Sequence, residues 1–195
     1  MDNPISAWEF GRACYDWADW ADKTQRAAIA REGMAACHQS LLFTNSALGH
    51  YYLANNMGQL ARSETLGALK LVRQMESEFL LAASLDPETD FAGPERALGL
   101  LYRDAPGWPL SIGNRTKSRK YLESAVALAP AYPENVLNLA ESELIWGEKA
   151  EAQKESDTLD ALWPSAQKSL TGPDWESSWD DWTKRRDVLR SKLNP

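Results

Sequence analysis

The chain has 195 residues, 44% hydrophobic and 25% charged, the size and balance of one globular domain or one short repeat array and not of a disordered chain. Its net charge of -7, from 21 basic and 28 acidic residues, repels a phosphate backbone; the one basic cluster, Lys184-Arg185-Arg186, is short, so nucleic acid is not an expected partner. No apolar run approaches the roughly 20 residues that span a bilayer, and the polar start Met1-Asp2-Asn3-Pro4 reads as no signal peptide.

Sustained period-2 alternation of β-branched residues is missing, whereas apolar residues recur at three- and four-residue spacing between Gly, Pro, Asn and Asp. The spacing predicts nine helices, near 5–21, 24–42, 46–61, 66–85, 93–104, 115–129, 133–146, 148–162 and 173–193. The first carries Trp8 and Tyr15 seven positions apart, then Asp16, Trp17 and Trp20. Cys14 on it and Cys37 on the second helix have no metal-ligand spacing. A disulfide between antiparallel neighbours is conceivable, and small buried thiols are the commoner case.

The third helix contains Leu48-Gly49-His50-Tyr51-Tyr52, and the fourth ends in Phe79, Ala82 and Pro87. The fifth repeats the first pattern as Leu98-Gly99-Leu100-Leu101-Tyr102, and the sixth repeats the second with Leu122, Ala125 and Pro130. Leu139-Ala140 and then Leu159 and Pro164 continue it more weakly on the next pair. These spacings are those of the tetratricopeptide repeat (TPR), L-G-x2-Y on a first helix and F-x2-A-x4-P on a second. Small residues let the two helices approach, aromatics fill the gaps, and proline stops the second helix.

The expected fold is therefore all-α, a single TPR-like α-solenoid of about four helix pairs covering 1–195. Its units fall near 5–45, 46–90, 91–131 and 132–165. A capping helix over 173–193 presents Trp175, Trp179, Trp182, Leu189 and Leu193 on one face. From Gly49 to Pro87 the second unit exceeds the consensus by about 14 residues, and from Gly99 to Pro130 the third exceeds it by about 7. The second excess falls in the turn-rich segment 104–114; the first is expected to lengthen both helices of its pair around 55–62.

Longer stretches resemble one family. Ala92-Gly93-Pro94-Glu95-Arg96-Ala97, Asp104-Ala105-Pro106-Gly107, Ser111-Ile112-Gly113-Asn114 and Pro133-Glu134-Asn135-Val136 are similar to the TPR-built T-component of TRAP transporters and its uncharacterised TPR relatives. The resemblance implies a periplasmic or otherwise extracytoplasmic helical protein, often lipid-anchored, that partners a transporter's substrate-binding protein and handles an apolar or amphiphilic small ligand. Some such proteins are homo-oligomers. The chain departs from the family in its N-terminal segment and in having no lipobox cysteine there, which keeps a cytoplasmic location as the alternative.

In a TPR array the first helices of successive pairs line the concave surface. By that register Asp16, Trp17, Trp20, His50, Leu53, Arg96, Arg103, Asp104 and Glu141 face inward, a mixture suited to an amphiphile or a peptide and equally to an ordinary solvated groove. Trp108, between Pro106 and Pro109, is either part of a lid or tucked onto its own helix pair. Asn55, Asn56, Gln59 and Arg62 either read a polar ligand or satisfy helix ends. The ligand- or partner-binding candidates are thus Trp17, Trp20, His50, Asn56, Gln59, Arg96, Arg103, Asp104 and Trp108. No glycine-rich phosphate loop, nucleophile elbow or histidine at metal spacing is present, so no enzyme activity, metal or cofactor is expected. A protein-interaction scaffold with no small ligand is the competing reading.

Overall fold

The computed structural model describes residues 3–63 and 67–194. Among them lie nine α-helices: α1 (Ala7–Ala18), α2 (Lys23–Leu41), α3 (Ala47–Ser63), α4 (Ala68–Leu85), α5 (Thr89–Asp104), α6 (Arg115–Leu128), α7 (Pro133–Ile145), α8 (Lys149–Ser169) and α9 (Glu176–Leu193). A 3-10 turn, Pro173–Trp175, leads into α9, and an isolated bridge between Gly107 and Gly113 is the one strand-like pairing among the described residues.

The helix starts follow from local chemistry. Asp22 accepts from the backbone N–H groups of Thr24 and Gln25, both at 2.9 Å, and Asn114 accepts from that of Lys117 at 2.9 Å. Pro133 and Pro173 sit in first turns, where no donor is lost. Consecutive helices then pack in pairs, α1 on α2, α3 on α4, α5 on α6 and α7 on α8, while α1, α3, α5 and α7 also touch in succession. This is an all-α arrangement of neighbouring helix pairs.

Missing side chains let the helices approach. A Cβ on Gly11 would lie 2.2 Å from Cys37 Sγ, and one on Gly33 2.3 Å from the Asn56 side-chain oxygen. One buried core gathers Tyr51, Tyr52, Leu53, Phe79, Leu98 and Tyr102; a second gathers Tyr132, Leu137, Leu159, Trp163, Trp182 and Leu189. In the second, α9 lies across α7 and α8 and the indoles of Trp163, Trp179 and Trp182 meet edge to face at about 5 Å.

Two expectations need adjustment. The eighth helix runs to Ser169 with Pro164 inside it, not to 162: Trp163 and Ala166, both buried on either side of the proline, keep the helix packed and outweigh the lost hydrogen bond. Gly49 and Gly99 are not equivalent, because a Cβ on Gly49 would meet Leu41 of the preceding pair and one on Gly99 would meet Leu122 of its own pair. Gly49 lies in the first turn of α3, whereas Gly99 lies in the second half of α5. The start expected at 66 for the fourth helix falls outside the described residues. Cys14 and Cys37 are free and buried, and burial pushes the Cys37 thiol up to about 12. No helix among the described residues is long and apolar enough to cross a membrane.

Candidate functional site

The C-terminal part of α1, the C-terminal halves of α3 and α5, and the first two thirds of α4 line an open cavity of about 700 Å³. Val72, Met75, Phe79, Leu100 and Leu101 supply its apolar wall, and Gly58 opens space opposite Met75. Its rim is polar. Gln59 Nε2 donates to Asp19 Oδ1 at 2.8 Å and Arg62 Nη1 donates to the same oxygen at 2.9 Å; Asp104 lies on the rim from α5.

A second chamber of about 280 Å³ adjoins it, walled by Tyr15, Tyr51, Tyr52 and Tyr132 with Asp16, Asp90 and Glu134 among them. Tyr15, Asn55, Ala97 and Leu100 line both chambers. Among the described residues no group accepts from the buried Nδ2 of Asn55, so an amide donor stands open at the junction. Burial raises the Asp16 pKa; Arg12 opposes this, and Asp90 and Asp19 add to it.

The polar chamber depends on an unusual backbone. Asp90, Phe91 and Ala92 have φ of 52°, 55° and 62°, three successive left-handed residues ahead of the right-handed turns that begin at Gly93-Pro94. Such a run costs about 1–2 kcal/mol per residue. Arg96 holds it: Nη1 donates to Phe91 O at 3.1 Å and Asn135 Oδ1 at 2.9 Å, and Nη2 donates to Asp90 Oδ2 at 3.3 Å. Asn135 Nδ2 returns to Phe91 O at 3.0 Å, Tyr51 Oη donates to Asp90 Oδ2 at 2.9 Å, and Phe91 stacks on Tyr132 at 4.5 Å. Burial disfavours the guanidinium charge, yet Tyr51, Glu134 and Asp90 hold its pKa above the usual value. Gly93 is required because a Cβ there would sit 2.7 Å from the Tyr51 ring.

The nine candidates separate into four groups. Gln59 and Asp104 line the larger chamber and Arg96 the polar one. Arg103 is engaged beside them, its guanidinium clasping Asp104 at 2.6 and 2.9 Å and reaching Ser142 Oγ at 3.0 Å. His50 and Asn56 do not face the cavity. His50 sits between Glu78 and Asn45 at 2.5 and 2.6 Å, and Asn56, fully buried, donates to the carbonyls of Gly11 and Tyr52 at 2.8 Å.

Trp17, Trp20 and Trp108 stand open at 63%, 82% and 89% exposure. The buried stripe of α1 is Ala7, Gly11, Cys14 and Ala18, which turns Trp17 outward, and Trp20 lies beyond the helix end. Trp108 neither tucks onto α5 and α6 nor covers the cavity. Of the other inward expectations, Asp16 does line the polar chamber, Leu53 is core, and Glu141 takes Arg185 of α9 at 2.8 and 2.9 Å. Leu100 and Ala97 were missed, although they lie on the α5 face that Arg96 and Asp104 define at i, i+1, i+4 and i+8.

Glu143 on α7 is a further unmarked group, buried at 4% exposure. Burial, Glu155, Glu148 and Glu151 raise its pKa to about 7, with Arg119 opposing. The folded chain thus keeps a proton that the unfolded chain releases near 4.5, so this contribution to stability is full below about 4.5 and is lost as pH rises through about 7. Glu143→Gln, compared with the parent by urea unfolding, is expected to gain about 2–3 kcal/mol more at pH 8 than at pH 4.5. An equal difference at both pH values overturns this.

Compared with protein-family models the chain matches none, and no curated protein matches it.

Proposed function

We propose that this chain is a non-catalytic binding protein of the tetratricopeptide-repeat kind that holds an amphiphilic small molecule in the double chamber. The observation that carries the reading is the shared wall of Tyr15, Asn55, Ala97 and Leu100, which joins an apolar space to a hydroxyl- and carboxylate-lined one. An aliphatic chain beside Val72, Met75 and Phe79 places a polar head next to the open Asn55 amide. An extracytoplasmic location and partnership with a transporter's substrate-binding protein extend the proposal along the resemblance to the TRAP T-component. The close approach of Gly99 to Leu122 within its own pair and the succession of neighbouring helix pairs support the repeat reading. A scaffold without a small ligand is the second reading, favoured by exposed Trp17, Trp20 and Trp108.

Native mass spectrometry with dodecyl maltoside separates the two. One amphiphile per chain is expected, with at least tenfold weaker binding in Leu100→Trp, which fills the junction, and unchanged binding in Leu42→Trp, which alters an 84% exposed site. Equal binding by all three chains leaves the scaffold reading standing and removes the ligand.

A further inference from the structure

A third cavity, of about 390 Å³, lies between α6, α7 and α8 and shares no lining residue with the double chamber. Its apolar wall is Val126, Ala127 and Leu139; its charged groups are Glu123, Glu143, Glu151 and Glu155 against Arg119 and Lys154. Four carboxylates against two cations disfavour an anion.

Glu143 separates this site from an ordinary solvated acidic surface. It is nine-tenths buried, yet Oε2 has no hydrogen-bond partner among the described residues and Oε1 reaches Arg119 Nη1 only at 3.6 Å. Arg119 is committed elsewhere: it donates to Glu148, which Arg115 also binds, and its guanidinium lies 4.8 Å over the Trp146 ring. From the other elements packed on α7, Arg103 of α5 binds Ser142 and Arg185 of α9 binds Glu141, so neither is spent on Glu143. A buried carboxylate left this way is costly unless a cation joins it. Among the described residues no group of three or more carboxylate, histidine or cysteine ligands converges as a metal requires. The dispersed carboxylates and the aliphatic wall suit a cation carried on a methylene stem.

We propose that this cavity binds a primary alkylammonium group, its nitrogen against Glu143 and its stem along Leu139 and Val126. The same chemistry arises from a lysine side chain of a partner and from a free diamine. The raised Glu143 pKa agrees with a vacant counter-charge, since binding favours the ionised form and competes with protonation.

Isothermal titration of the full chain with cadaverine, and separately with an acetylated and amidated Gly-Lys-Gly peptide, tests it at pH 8. Saturable one-to-one binding of at least one probe is expected, weakened about tenfold in the isosteric Glu143→Gln and about tenfold for each pH unit below 7. Pentanol and pentanoate serve as uncharged and anionic controls and are not expected to bind. Cadaverine alone binding identifies a free amine as the source; the peptide binding identifies a lysine side chain. Failure of both probes to saturate, or binding that survives Glu143→Gln and shows no pH dependence, overturns the proposal. The wild-type pH profile keeps the test decisive even if the variant does not fold.

Discussion

Arg96→Met lowers the free energy of unfolding by about 3–5 kcal/mol, the range for removing one partner from a buried charged network. Methionine keeps most of the volume and none of the donors. The Phe91 carbonyl and the Asn135 side-chain oxygen each lose a donor, and among the described residues the Asp90 carboxylate keeps the Tyr51 hydroxyl and loses its ion pair. The left-handed residues Asp90 to Ala92 then have less to hold them, and the backbone relaxes toward ordinary φ values. Arg96→Lys recovers only part of the loss, because one ammonium cannot reach all of the acceptors that the planar fork spans. Urea unfolding monitored by circular dichroism checks the loss, and hydrogen exchange at 89–93 localises it. A loss below about 1 kcal/mol contradicts the network's role. Arg96 also lines the polar chamber, so the amphiphile binding proposed above is expected to weaken in the same variant.

Gly99→Ala is expected to destabilise the chain by about 1–3 kcal/mol, although helix propensity alone predicts a gain of about 1. A methyl group at Gly99 would stand 2.6 and 2.7 Å from Leu122 side-chain carbons and 3.1 Å from the Leu122 backbone nitrogen. Leu122 is fully buried, so it has nowhere to move, and the α5–α6 pair must separate. Gly58→Ala is the control: its added carbon meets only the flexible end of Met75 at 3.2 Å, and it is expected to be neutral or mildly stabilising. In a double-mutant cycle Gly99→Ala with Leu122→Ala is less damaging than the sum of the two changes, because each relieves the other's fault. Thermal or urea denaturation reads all four chains. Additive losses contradict the close approach.

Much of the helical frame was legible because its signals are local. Capping residues, in-register prolines and three–four spacing depend on neighbours a few positions away, and Asn114, Pro133 and the apolar stripe of 173–193 behave as those rules require. Pro164 shows where locality fails, since a helix held by buried Trp163 and Ala166 outlasts a residue that usually ends one. The site was less legible. His50 was expected to face the groove on the strength of its place in Leu48-Gly49-His50-Tyr51-Tyr52, but its ring is held between Glu78 of α4 and Asn45.

Asn56 was singled out as a polar group on a helix, and its partners, the carbonyls of Gly11 and Tyr52, combine a distant helix with a local turn that one sequence does not connect. The same holds for the left-handed run at Asp90. Nothing in Thr89-Asp90-Phe91-Ala92 demands it; Arg96, Asn135 and Tyr51 impose it from three helices. Trp17 and Trp20 were expected to face the groove by the repeat register, and Trp108 to form part of a lid or tuck onto its own helix pair; all three stand exposed instead, Trp17 because Ala7, Gly11, Cys14 and Ala18 take the buried stripe of its helix.

A crystal grown with 12-bromododecanol tests the double chamber most directly. The predicted result is a bromine anomalous peak among Val72, Met75 and Phe79 with the hydroxyl beside Asn55, lost in Leu100→Trp. An ordered chamber with no bromine in it, or a peak confined to the exposed tryptophans, contradicts the account.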